Sequence, residues 1–130
     1  SIRRQRQMCI RDSNLPDHGN LLANLVRWAA GGNIPLTVEG PGLIDCHLYR
    51  QGARLILHLV NLTSAATWRA PTDELIPVGP FEVRLRLPKD VRAATARLLV
   101  AGTSLTPIVK DAWAALEVRS VLDHEVLVLH

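Results

Sequence analysis

Apolar and polar residues alternate most strictly over residues 43–63, LIDCHLYRQGARLILHLVNLT, and this pattern predicts a long β-hairpin. A two-residue turn at Gln51-Gly52 pairs Arg50 with Ala53, Leu48 with Leu55 and Cys46 with Leu57. One face then carries Ile44, Cys46, Leu48, Leu55, Leu57 and Leu59. The other carries Asp45, His47, Tyr49, Arg54 and His58, with Asp45 directly across from His58. A three-residue turn would set Arg50 against Arg54, which like-charge repulsion disfavours. The hairpin therefore offers an apolar side to a core and a polar side to solvent or a neighbouring domain.

Before it, residues 14–30, NLPDHGNLLANLVRWAA, carry apolar residues at Leu21, Leu22, Leu25, Val26, Trp28 and Ala29, the spacing of one amphipathic helix. Asp17 is the expected N-cap, and Gly31-Gly32 the stop. One such helix does not fold alone, so it must pack on this domain's sheet or on material preceding it. Residues 33–42 read as a linker holding a short strand at 36–39, and the domain boundary falls here.

After the hairpin, residues 64–80 form a loop with Trp68, three prolines and the acidic pair Asp73-Glu74. Loops this long in a small domain are usually functional or packed against a neighbour. Residues 81–87, FEVRLRL, alternate cleanly. Strands at 94–101 and 105–109 are expected around a Gly102-Thr103 turn, followed by 112–118 and 122–129. The sum is a mainly β chain: an antiparallel β-sandwich of seven or eight strands with one N-terminal amphipathic helix.

Composition changes this picture in two places. The formal charge is +3 over 130 residues, but residues 1–13, SIRRQRQMCIRDS, hold four Arg and one Asp and account for all of it. The remaining residues are neutral overall, with no electrostatic footprint for nucleic acid. The opening segment shows no helical or strand periodicity. It resembles the translated sequencing-adapter read-through found at the ends of open reading frames in metagenomic assemblies, and on that reading it is a non-native, disordered tail. Cys9 lies in it, leaving Cys46 as a lone cysteine on the hairpin's apolar face, a small hydrophobe. Cysteine usage leaves the compartment open, with the cytoplasm favoured. No apolar run approaches the ~18 residues of a membrane span, and no secretory signal is visible.

Candidate chemistry is sparse. Asp45, His47 and His58 share the hairpin's polar face and are the residue types of a zinc site or an acid–base pair, but no further ligand or nucleophile stands near them in sequence. A cross-strand hydrogen-bonding patch is the plainer reading. Asp73, Glu74 and Glu39 are the candidates for a glycosidase carboxylate pair, yet adjacent residues on one loop seldom flank a common bond. Trp68, Trp113 and Tyr49 are candidates for a sugar-stacking platform, with Trp113 expected in the core and Trp68 exposed. Asn61-Leu62-Thr63 matches the glycosylation sequon and is read as a strand end. His124 and His130 have no evident partners. No phosphate-binding loop, GxSxG or Cys/His nucleophile pattern is present, and no cofactor is indicated.

The strings VRWAA (26–30), VEGPGLIDCHLYRQ (38–51), HLVNLT (58–63), DELIPVGP (73–80) and LDHEVLVL (122–129) together resemble the C-terminal end of bacterial glycoside hydrolases related to the family 42 β-galactosidases. That family joins a catalytic TIM barrel, a flavodoxin-like trimerisation domain and a terminal antiparallel β domain. The resemblance covers residues 17–130. It implies that 14–32 is the last helix of a truncated trimerisation-type domain and that 33–130 is the terminal β domain. The family's catalytic carboxylates lie in the barrel, so none carries over to this chain, and the helix's apolar face is expected to be underburied. The implied role is a non-catalytic accessory domain packing against upstream catalytic and trimerisation-type domains, in a protein that can be a homo-oligomer. The alternative is a carbohydrate-binding module using Trp68 and the 64–80 loop, with His47, His58, Asp73 and Glu74 as further sugar or interdomain contacts. An independent metal enzyme built on His47 and His58 is the third reading.

Overall fold

Alternation along the chain becomes two antiparallel sheets, because each strand has one apolar side to bury. The computed structural model describes residues 16–63 and 75–130. The expected tail at 1–13 and the loop residues Trp68, Asp73 and Glu74 lie outside the described residues. The backbone separates into two units, one ending at Ile34 and the other spanning Pro35–His130.

In the first unit, α1 spans Pro16–Ala29. It begins at a proline, which suits the first helical position because its missing N–H needs no partner there. Asp17 is thus inside the helix and not its N-cap. The stop is as expected: Gly32 N–H donates to the Arg27 carbonyl at 2.8 Å and Gly31 N–H to that of Trp28 at 3.0 Å. Leu21, Leu22, Leu25, Val26 and Trp28 are all exposed, Trp28 at 81%.

Among its described residues the second unit holds nine strands. They are β1 (Leu36–Glu39), β2 (Ile44–Gln51), β3 (Arg54–Asn61), β4 (Phe81–Arg86), β5 (Ala96–Leu98), β6 (Thr103–Leu105), β7 (Ile108–Lys110), β8 (Trp113–Val118) and β9 (His124–Leu129). One sheet runs β1-β4-β8-β7 and the other β2-β3-β9-β5-β6. The antiparallel sandwich expected from the pattern is the observed fold. Its strands number nine because the expected strand at 105–109 divides at Pro107, which cannot donate to a ladder. Thr103–Leu105 pairs with β5, and Ile108–Lys110 crosses to the edge of the other sheet beside β8. Thr103 is accordingly a strand residue and not part of the turn assigned to it.

The hairpin of β2 and β3 keeps its predicted faces but not its predicted pairs. Gln51 lies opposite Arg54, His47 opposite His58, and Asp45 opposite Val60. The turn is therefore Gly52-Ala53. Gly52 has φ +57° while Ala53 is absent from the positive-φ residues, the sign pattern of a type II′ turn with glycine first. The expected turn at Gln51-Gly52 would have put glutamine in that position. The slip is two residues, so inward residues stay inward.

Between the sheets, Leu55, Leu57 and Leu59 of β3 and Leu127 and Leu129 of β9 belong to the same core as Phe81, Val83 and Leu85 of β4 and Ala114 and Val118 of β8. Each fully buried leucine contributes roughly 1.5–3 kcal/mol relative to exposure. The connections gather at two ends. Segments 40–43, 62–63, 75–80, 99–102 and 119–123 share one end, tied by Leu62 N–H to Leu43 O, Asn61 N–H to Asp123 O and the Val78–Val121 bridge. Turns 52–53 and 111–112 lie at the other.

Replacing Gly52 with Ala should cost about 1 kcal/mol in urea unfolding, because an L side chain is strained at that φ. Gln51→Ala should cost within about 0.5 kcal/mol. The reverse ranking would restore the Gln51-Gly52 turn.

Candidate functional site

The outward face of β2 and β3 gathers Asp45, His47, Tyr49 and His58. A carboxylate can only accept, so His47 Nε2–H donates to Asp45 Oδ2, at 3.0 Å, and the pair is half exposed. The His47 and Tyr49 rings stack at 6.5 Å and 17°, and Tyr49 meets His58 edge-on at 5.6 Å and 90°. Tyr49 thus has an imidazole on two sides while the residue as a whole stays 57% exposed. The expected Asp45–His58 opposition does not occur, because the turn sits one position later on each strand. Among the described residues no three His, Cys, Asp or Glu side chains gather where a metal could be held. The arrangement is an aromatic, hydrogen-bonding patch.

Cys46 points the other way, partly buried against the core. Burial, and secondarily the charge of Asp45, raises its thiol pKa above the ordinary value. A raised thiol pKa means the folded chain keeps a proton that the unfolded chain has already lost. Its contribution to stability is therefore complete below the ordinary thiol pKa and is lost as pH rises through the raised value.

Other candidates are dispersed. Trp113, expected in the core, is half-buried on the outer face of the four-stranded sheet, with the Arg84 guanidinium 5.9 Å from its ring centre. The inward parity of β8 belongs to Ala114 and Val118 instead. Trp113 and Tyr49 lie on the outer faces of different sheets and share no platform. Glu39 stands in one cross-strand row with Glu82 and Glu117, all exposed. These carboxylates lie side by side on a sheet and do not flank a cleft. His124 pairs with Asp123 at 3.3 Å, and His130 borders a shallow depression with Arg54, Arg97, Leu99 and Val128.

Two residues hold the loop-bearing end together: Asn61, read from sequence only as a strand end, and Glu125, which sequence reasoning passed over. Asn61 is only 7% exposed. Its Nδ2 donates to the carbonyls of Ile76 and Leu122, both at 2.7 Å, and of Val121 at 3.3 Å, while its Oδ1 accepts from Thr63 N–H at 2.9 Å. Every polar atom of the sequon asparagine is engaged, which explains why it ends a strand and leaves no free amide for a glycan. Thr63 Oγ1 accepts from Leu43 N–H at 2.7 Å. Gly42, at φ +79°, fits because a Cβ there would lie 2.5 Å from Thr63 Oγ1. Glu125, 3% exposed, accepts from the Val100, Ala101 and Val126 amides at 2.8–2.9 Å. Both sit at inward parity, next to Leu59 and Leu127, and a polar residue in an otherwise apolar inward series is the signal that marks them.

These anchors present apolar side chains outward. Leu43, Leu62, Leu75 and Leu122, from four segments meeting around Asn61, are 44–61% exposed. Leu99 and Val100, on the turn held by Glu125, are exposed as well.

Replacing Asn61 with Ala should cost about 2–4 kcal/mol, read by urea unfolding, since three carbonyls, buried or part-buried, and an amide lose one partner together. Asn61→Asp should cost more, because a carboxylate would face those carbonyls. Alkylation of Cys46 at pH 8, followed by peptide mapping to separate it from Cys9, should be much slower in the folded chain than in urea. Equal rates would show that burial does not govern the thiol.

No protein-family model matches the chain, and no curated protein sequence matches it. Among solved structures it is similar to α-L-fucosidase isoenzyme 2 from Paenibacillus thiaminolyticus, with a TM-score of 0.64 and 22% identity. The match covers 81% of this chain and 16% of that one. At this identity the likeness is one of fold, and the chain spans under a fifth of that protein's length.

Proposed function

We propose that this chain is a non-catalytic accessory β domain of a carbohydrate-active enzyme, packing against and stabilising domains upstream of it. The fold likeness to an α-L-fucosidase, matched over 16% of that chain, is the observation that carries the reading. It is the relation expected of a small module within a much larger hydrolase. The specific tie to family 42 β-galactosidases rests on the sequence strings alone.

Two features of the geometry support a packing role. The Asn61 network anchors the segments that carry the four exposed leucines, and an exposed apolar cluster is what an interdomain contact would cover. Within its own unit, α1 likewise carries exposed apolar residues, Leu21, Leu22, Leu25, Val26 and Trp28. The candidate carboxylates and imidazoles Glu39, Asp45, His47 and His58, by contrast, are spread over the outer faces of two sheets.

The deciding measurement is glycosidase activity of the 130-residue chain on chromogenic galactosides and fucosides and on plant polysaccharides. No turnover is expected. Turnover abolished by Asp45→Asn or His58→Ala would overturn the proposal and put chemistry on the hairpin.

A further inference from the structure

We infer that the outer face of the five-stranded sheet binds an acidic glycan, with Tyr49 as the stacking platform for a sugar ring and Arg54 and Arg97 as ligands for its carboxylates. The inference rests on the reading of the chain as part of a carbohydrate-active enzyme and adds a ligand to it.

Register assembles the surface. Tyr49 pairs with Ile56, Ile56 with Val128, and Val128 with Arg97, so four strands contribute one continuous row on one face. Three strand spacings give this row a length of ~14 Å, room for more than one sugar ring. Arg54, two residues before Ile56, lies diagonally across from Tyr49, ~7–8 Å away between backbones and within reach of a long side chain. Arg54 and Arg97 both line a shallow depression of about 380 Å³, together with Val128, Leu99 and His130.

Chemistry selects the ligand class. Solvent-facing sheet surfaces usually alternate to polar residues, yet this one carries the partly buried Ile56, Val126 and Val128 beside an open Tyr49. The Tyr49 ring is already oriented by His47 and His58, so little conformational freedom is lost when a ring stacks on it. Among the described residues the ion pairs are those at Asp45, Asp90 and Asp123, and none engages Arg54 or Arg97. A guanidinium prefers the two oxygens of a carboxylate. A neutral sugar would satisfy the platform and leave both arginines unmatched, while a small inorganic anion would do the reverse. An acidic peptide is disfavoured because β3, β9 and β5 are interior strands, with no free backbone edge to which a peptide could add.

The test is titration of the 130-residue chain with oligogalacturonate, neutral galacto-oligosaccharide of equal length and polyglutamate, followed by calorimetry and amide chemical shifts. Oligogalacturonate should bind, with shifts centred on Tyr49, Arg54, Arg97 and Val128. Tyr49→Ala and the double variant Arg54→Ala/Arg97→Ala should each weaken it at least tenfold, while Trp113→Ala, on the other sheet, should not. The double variant also measures any background attraction by the four arginines of residues 1–13. Binding unchanged by Tyr49→Ala, or equally tight binding of polyglutamate, would overturn the inference in favour of general polyanion or acidic-peptide attraction. Binding of the neutral oligosaccharide independent of the arginines would overturn the acidic preference. No binding of any sugar would overturn the inference but leave the accessory role standing, because that role is judged by turnover.

Discussion

A buried amide holds one end of this sandwich in a single arrangement. Asn61 closes β3 and joins it to the residues entering β9, to the segment after the long loop and, through Thr63, to the crossing between β1 and β2. These segments belong to both sheets and to distant parts of the chain. Hydrophobic burial between the sheets is larger in total but non-directional, and it would tolerate several loop arrangements. Hydrogen bonds from one buried side chain to three carbonyls are directional, and leaving any of them unmade in the interior is costly. Glu125 plays the same part for the 99–102 turn, accepting from the Val100 and Ala101 amides as well as from Val126 N–H.

That constraint has a functional consequence. Loops held from inside can turn apolar side chains outward without collapsing onto the core, and the leucines of this end do so. The domain thus has surfaces of contrasting character. One end is apolar and rigid, suited to packing. The outer face of the five-stranded sheet carries a pre-oriented aromatic ring and two arginines, suited to an anionic ring-bearing ligand. The outer face of the four-stranded sheet carries the Glu39, Glu82 and Glu117 row with Arg84 and Trp113 beside it.

Much of the architecture was legible beforehand because strand alternation is a local property. FEVRLRL could bury only one side wherever it paired, and the hairpin's faces survived a two-residue register error because side chains repeat every two residues. The helix stop was legible from Gly31-Gly32 for the same local reason. The strand count and the 102–103 turn were not, because Pro107 could be seen but not which sheet each flank would join.

The sequence by itself determined the fold class, the inward and outward sides of nearly every strand, and where basic charge concentrates. Only tertiary structure decided which residues meet. His47 faces His58 because Gly52 takes the first turn position, and Arg97 joins the row of Tyr49 and Ile56 because β9 inserts between β3 and β5. Asn61 and Glu125 became structural anchors because chain segments up to 61 residues away deliver their hydrogen-bond partners. Periodicity reports what each residue can bury, while partners are set by long-range pairing, which no local pattern encodes.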